Sequence, residues 1–146
     1  MAKYQVSVTT PAAAASAAFA TIRAGASSRV RLLELGVFTN AATATSVALI
    51  RATNTFVPTT SIIGQPYDTG DPTSIANVDT AWSTAPTVTI ANSLRRIALP
   101  ATIGAGVIWT FDPMFAVGPA GVGGLVLWNF GAGAGSALNV YAVWEE

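Results

Sequence analysis

The chain contains no cysteine and no histidine. The first absence excludes disulfides, thiolate nucleophiles and zinc fingers, and the second removes the commonest catalytic base and metal ligand. Charge is scarce as well. Only 10% of the 146 residues are charged, against roughly 25% in an ordinary soluble domain, and seven basic residues balance seven acidic ones. A neutral chain has little counterion release to offer a nucleic acid and no cationic face for an anionic membrane, so neither is an expected partner. Long apolar runs are missing too. The stretch 113–144 has no charge, but Pro119, Asn129, Asn139 and seven glycines between Gly118 and Gly135 break it up. No uninterrupted apolar helix of about 20 residues remains to cross a bilayer. Met1 to Val6 carry one lysine with no apolar segment directly behind it, so no export signal is expected.

What is abundant is apolar and small. Hydrophobic residues reach 51%, so Thr, Ser, Asn, Ala and Gly must cover most of the surface. A monomer with such a surface is prone to self-association, and an oligomer or larger assembly that hides part of it is the expectation.

Alternation of period two, rich in β-branched residues, dominates the chain. It predicts strands over residues 4–9, 29–38, 45–52, 94–99, 106–111, 125–130 and 137–144. Glu34 shares parity with Val30 and Leu32, which predicts a bulge or a covered polar site. The alanines of 12–22 suit either a helix behind Pro11 or a tight extended segment. Residues 53–92, punctuated by Pro58, Gly64, Pro66, Gly70, Pro72 and Pro86, form a long excursion with at most short strands near 60–63 and 87–90. Repeats and composition shifts are absent, so the reading is one domain over 1–146. Its predicted class is all-β, a two-sheet antiparallel sandwich of jelly-roll type with about eight strands.

Chemistry-bearing groups are few. Asp68, Asp71 and Asp79 lack the alternate spacing of a calcium loop, and Asp68-Thr69-Gly70-Asp71-Pro72 is what a turn needs. Nothing marks a pair of carboxylates flanking a cleft for glycoside hydrolysis. Gly131-Ala132-Gly133-Ala134-Gly135 has neither dinucleotide-loop nor P-loop spacing and leads into a strand, so it reads as a loop between strands. The prediction is therefore no enzyme, no catalytic residue, no metal and no cofactor. Six arginines against one lysine suit interfaces or internal pairing better than nucleic acid, and Arg95 and Arg96 are candidate partner contacts. Trp109, Trp128 and Trp144 fall in predicted strands and read as packing residues. Trp82 falls in the excursion, where it either pins the loop or serves as an anchor at a partner surface.

Several segments carry a family likeness. Arg31-Leu32-Leu33-Glu34-Leu35-Gly36-Val37-Phe38, Ser46-Val47-Ala48-Leu49-Ile50-Arg51-Ala52-Thr53-Asn54, and Ala101-Thr102-Ile103-Gly104-Ala105-Gly106-Val107-Ile108-Trp109-Thr110-Phe111 resemble small proteins of tailed bacteriophages. So do Leu125-Val126-Leu127-Trp128-Asn129-Phe130-Gly131 and the ending Trp144-Glu145-Glu146. The likeness is to compact jelly-roll virion proteins, among them capsid decoration or cement proteins that sit as trimers on the shell. It implies a structural protein at the capsid surface of a virion, with the major capsid protein and further copies of itself as partners. A glycan-binding module of a tail or head fibre is the alternative, and it would require aromatics exposed in a groove.

Overall fold

The computed structural model describes residues 1–26, 29–118 and 123–146, and of 113 and 114 the backbone alone. The chain is an all-β sandwich of two antiparallel sheets. Its strands are β1 (Lys3–Thr9), β2 (Ala18–Arg23), β3 (Val30–Thr39), β4 (Thr45–Arg51), β5 (Val57–Ile63), β6 (Gln65–Pro66), β7 (Asn77–Thr84), β8 (Arg95–Leu99), β9 (Gly106–Val117), β10 (Leu125–Asn129) and β11 (Leu138–Glu145). One sheet runs β6-β1-β11-β3-β9 and the other β5-β7-β2-β10-β4-β8. Removing β5, β6 and β7 leaves β1-β11-β3-β9 facing β2-β10-β4-β8, an eight-stranded jelly roll in which the chain passes from sheet to sheet as it winds. The three further strands all come from the 53–92 excursion, which raises the expected eight strands to eleven.

Three sequence-based expectations need adjustment. The alanine-rich 12–22 segment ends in strand β2 and forms no helix, because Phe19 and Ile22 point into the core. The excursion contains a full strand, β7, and its pair β5 is longer than 60–63. Around 87–90 there is no strand, only a bridge from Ala52 to Val88 and a 3-10 turn at Ile90–Asn92.

The core is the layer between the sheets. Tyr4, Leu32, Leu35, Val37, Leu138, Val140 and Trp144 from one sheet meet Phe19, Ile22, Leu49, Leu125 and Leu127 from the other, all fully or nearly fully buried. Alternation explains the choice along β10, β11 and the second half of β3, where every second residue is a core residue and those between face outward. At Glu34 the parity conflict is resolved by a bulge. Register shifts around Leu33 against both β11 and β9, so Leu32 and Leu35 both point inward while Glu34 faces out beside Val143 and Thr110.

The excursion is fastened at both edges. On the outer face of the six-stranded sheet, Asp79 is wholly buried. Its carboxylate accepts from Arg23 Nε at 2.8 Å, Thr21 Oγ1 at 3.0 Å and Ser61 Oγ at 2.5 Å. Across the molecule, the Glu146 carboxylate accepts from Ser74 Oγ, from the backbone N–H groups of Ile75 and Ala76, and from Trp144 Nε1 at 2.9 Å. The Tyr4 hydroxyl donates to the Pro72 carbonyl at 2.9 Å. Burial, with the nearby charges of Glu146 and Asp71, holds that phenol above its ordinary pKa.

Removing the Asp79 carboxylate leaves the largely covered Arg23 guanidinium, the Thr21 hydroxyl and the Ser61 hydroxyl without their acceptor. Asp79→Ala is expected to lower unfolding free energy by about 3 kcal/mol, as for breaking a buried ion pair. Urea denaturation measures it, and a loss under about 1 kcal/mol would show that the network does not hold the β2–β7–β5 edge.

Candidate functional site

Two outer sheet faces, on opposite sides of the sandwich, carry the features from which a site could be built. The outer face of β1-β11-β3-β9 is ordered in rows by the strand register. Gln5, Val143, Glu34 and Thr110 form one row, Ser7, Tyr141, Gly36 and Ile108 the next, and Thr9, Asn139, Phe38 and Gly106 the third. Glycines decide the shape. A Cβ on Gly36 would come within 2.0 Å of the Tyr141 ring, and one on Gly106 within 2.3 Å of the Phe38 ring. The two rings therefore lie down on the sheet, stacked at 6.3 Å with 17° between their planes. Beyond the first row lies a charged one, Lys3, Glu145 and Arg31, while the three rows themselves form a plate with one charged side chain.

That one charge, Glu34, accepts a 2.6 Å hydrogen bond from the Tyr141 hydroxyl. The bond, assisted by burial, pushes the Tyr141 phenol up to about 12. Because folding favours the neutral phenol, this contribution is complete below the unfolded value near 10 and is lost as pH rises towards 12. Absorbance at 295 nm follows the phenolate. Glu34→Gln is expected to move the Tyr141 titration down towards 10, and an unchanged titration would mean that the bond does not set it.

The opposite face, on β2-β10-β4-β8, is partly roofed by the excursion. Ala52, Phe56 and Val126 are buried there, with Ala18, Trp82, Val88 and Trp128 packed around them as a small second core. Trp82 is placed on β7 and not in a loop. It is half-buried and donates its Nε1–H to Thr21 Oγ1 at 3.2 Å, so it pins the excursion to β2. Arg95 and Arg96 are neighbours in sequence yet serve different places. Arg95 lies over Phe111 and Phe115, 5.8 and 5.7 Å from their ring centres, at the open side of the sandwich. Arg96 points outward, 5.5 Å from the centre of the Phe130 ring, and donates to the Ile90 carbonyl. The four arginines 29, 31, 95 and 96 do not merge into one patch, because Arg31 lies on the far sheet and Arg95 turns inward.

Beside Arg96 is a feature that strand reading alone passed over. Trp128, Ala48 and Arg96 occupy one row across β10, β4 and β8. Two large side chains flank a small one, and the row borders an open depression of about 340 Å³ lined by Ser16, Val88, Ile90, Trp128 and Phe130. A bulge between Leu127 and Trp128 sets the direction of the indole. Buried Asn129 organises the rim: its Nδ2 donates to the carbonyls of Ala13, Ala14 and Gly133 and its Oδ1 accepts from Gly131 N–H. The Asn129 carbonyl also accepts from Ser16 N–H at 3.1 Å. Ser16 is held at φ 54°, the one non-glycine residue with positive φ among the described residues. The sequence signal was the pair Trp128 and Phe130 on one strand face, with a polar Asn between them.

The acidic residues behave as turn and pairing groups. Asp68 accepts from Gly70 N–H at 2.9 Å in a tight turn, and Asp79 is separately buried against Arg23. No group of three or more potential metal ligands occurs among the described residues. No helix among them is long and apolar enough to cross a membrane. No family model, curated protein or solved structure matches this chain.

Left-handed backbone costs a side-chain-bearing residue roughly 1–2 kcal/mol, most of which glycine avoids. Ser16→Gly is therefore expected to leave stability unchanged or raise it by up to about 1 kcal/mol. A clear drop in thermal midpoint would instead assign the Ser16 hydroxyl a structural role.

Proposed function

We propose that this protein is a structural component of a bacteriophage virion, a cement that docks on the outside of the assembled shell as a homotrimer and stiffens it. The observation that carries this reading is the plate of β1-β11-β3-β9: rigidified by rings laid over Gly36 and Gly106, with Glu34, bonded to Tyr141, as the single charge in its three rows. Such a surface binds by shape and apolar burial, with little desolvation of charge. The family likeness of the strand segments supports the same role.

Area accounts for the trimer. Four strands about 4.8 Å apart, each presenting some six residues at about 3.3 Å per residue, span on the order of 400 Å². A stable interface takes about 800 Å² per partner, so one plate alone would hold weakly. Three plates on one closed trimer engage neighbouring shell subunits together, and the second and third contacts form at high effective concentration. A ligand bound across subunits of the closed shell stabilises that state by mass action, without chemistry of its own.

Adding purified protein to shells that lack it tests the proposal, with occupancy and rupture temperature measured together. Saturable binding with a higher rupture temperature is expected, and moderate salt should weaken it little. Ile108, 53% exposed in the middle row of the plate on its edge strand β9, gives the control: Ile108→Asp should weaken shell binding at least about tenfold while leaving the free protein's thermal midpoint unchanged. Failure of the unaltered protein to bind, or binding with no change in rupture temperature, overturns the reading. Trp82→Ala should lower stability more than it lowers binding, since the indole is tied to Thr21.

A further inference from the structure

The depression on the opposite sheet face has the make-up of a small-ligand site and no part in shell docking through the plate. Its volume of about 340 Å³ falls at the lower end of the range of roughly 300–1,000 Å³ that small-molecule sites occupy. Its floor and walls are apolar: Trp128 and Phe130 present aromatic rings, and Val88 and Ile90 close one side. Ser16, exposed, also lines it, and the Arg96 guanidinium lies beside it, 5.5 Å from the centre of the Phe130 ring and hydrogen-bonded to the Ile90 carbonyl. Arg96 makes no ion pair among the described residues, and its one hydrogen bond there goes to the Ile90 carbonyl. An unpaired guanidinium with donors to spare, set beside aromatic rings, calls for a ligand with an anionic planar group next to an apolar face.

We propose that this depression binds an acidic sugar, a pyranose ring carrying a carboxylate, as in a uronic or sialic acid. The ring's C–H face stacks on Trp128, its hydroxyls meet Ser16, and its carboxylate receives a pair of N–H donors from Arg96. The site is preorganised. Asn129 fixes the Ser16 turn and the 131–133 loop through its four hydrogen bonds, and the bulge at Trp128 sets the indole. A neutral sugar would share the stacking and lack the charge-assisted pair, which sets the expected selectivity. On a protein docked to a shell through the plate, the depression faces outward, towards whatever glycan surface the particle meets.

The test is calorimetric titration of the purified full chain with glucuronic acid, N-acetylneuraminic acid, glucose, N-acetylglucosamine and acetate. At least one acidic sugar should bind with Kd below about 10 mM, and at least roughly tenfold more tightly than the neutral sugars or acetate. Arg96→Gln should remove the difference between acidic and neutral sugars, and Trp128→Phe, which keeps an aromatic ring in the fold, should weaken every sugar that binds. Ser16→Gly should weaken sugars and leave acetate unaffected. The proposal is overturned if neither acidic sugar binds, if neutral sugars or acetate bind as well as acidic ones, or if the preference survives Arg96→Gln. Shell binding uses the other face, so a null sugar titration leaves the cement reading standing, and a null shell assay leaves this one standing.

Discussion

Scarcity of charge is the constraint on which this structure depends. With seven basic and seven acidic residues, most charged side chains that can be followed are turned to internal bonding. Asp79 gathers Arg23, Thr21 and Ser61; Glu146 gathers Ser74, Ile75, Ala76 and Trp144; Glu34 holds Tyr141. Arg51 donates to the carbonyls of Gly123 and Ala116, tying the end of β4 to the end of β9 and to the residue two before β10. A charge that is buried must be paired or hydrogen-bonded, since desolvation otherwise outweighs any gain. The buried side-chain polar atoms meet that condition: none among the described residues lacks a partner. Exposed charge is confined to a few residues such as Lys3, Arg31 and Arg96, and hydroxyls, amides and apolar groups cover most of the rest of the outer faces.

The eight framework strands were largely legible because their two-residue period is enforced by burial. A strand slipped by one residue would turn Leu35 and Val37 to solvent. β2 escaped because its burial is nearly continuous: Phe19, Ala20, Thr21 and Ile22 are all covered, one side by the core and the other by the excursion. β7 escaped for a different reason. Its sequence Asn77-Val78-Asp79-Thr80-Ala81-Trp82-Ser83-Thr84 is polar at Asp79, and only the Arg23 pairing across β2 makes that position habitable. Such a pair is a tertiary fact with no local signature. The bulge at Leu33 was legible from parity, since a carboxylate at a core position demands a shift of register.

The candidate sites were legible only as ingredients. Gly36, Phe38, Gly106 and Tyr141 are unremarkable one by one. They become a plate because the register places each ring against a glycine of the neighbouring strand. In the same way Trp128 and Arg96 are separated by about a fifth of the chain and meet only through Ala48 between them. Trp82, chosen for its place in a proline-rich excursion, turned out to be a strand residue with its N–H directed at Thr21. Of the prolines, Pro72 falls in the break between β6 and β7, whereas Pro58 and Pro66 lie inside β5 and β6 and Gly64 separates those two.

The two faces are linked by the way the fold is closed. In a sandwich, the outer faces of the two sheets point in opposite directions, and each is shaped by what the excursion does. On the plate side the excursion adds β6 at the margin, pairing with Tyr4 and Gln5, and with Ile62 and Ile63 of β5 borders a groove of about 310 Å³ along Gln5, Ser7 and Tyr141, leaving the rest of the rows towards Ile108 open. On the other side it adds β5 and β7, crosses the sheet near Ala52 and Val88, and ends in the Ile90–Asn92 turn beside Arg96. One insertion thus keeps most of a broad surface uncovered while walling a small depression on the reverse. A broad surface with little charge suits a large partner of matching shape. A walled depression with a cation beside it suits a small one carrying an anion. The same 53–92 segment, through Asp79 at one edge and the Glu146 contacts at the other, holds both surfaces in fixed relation.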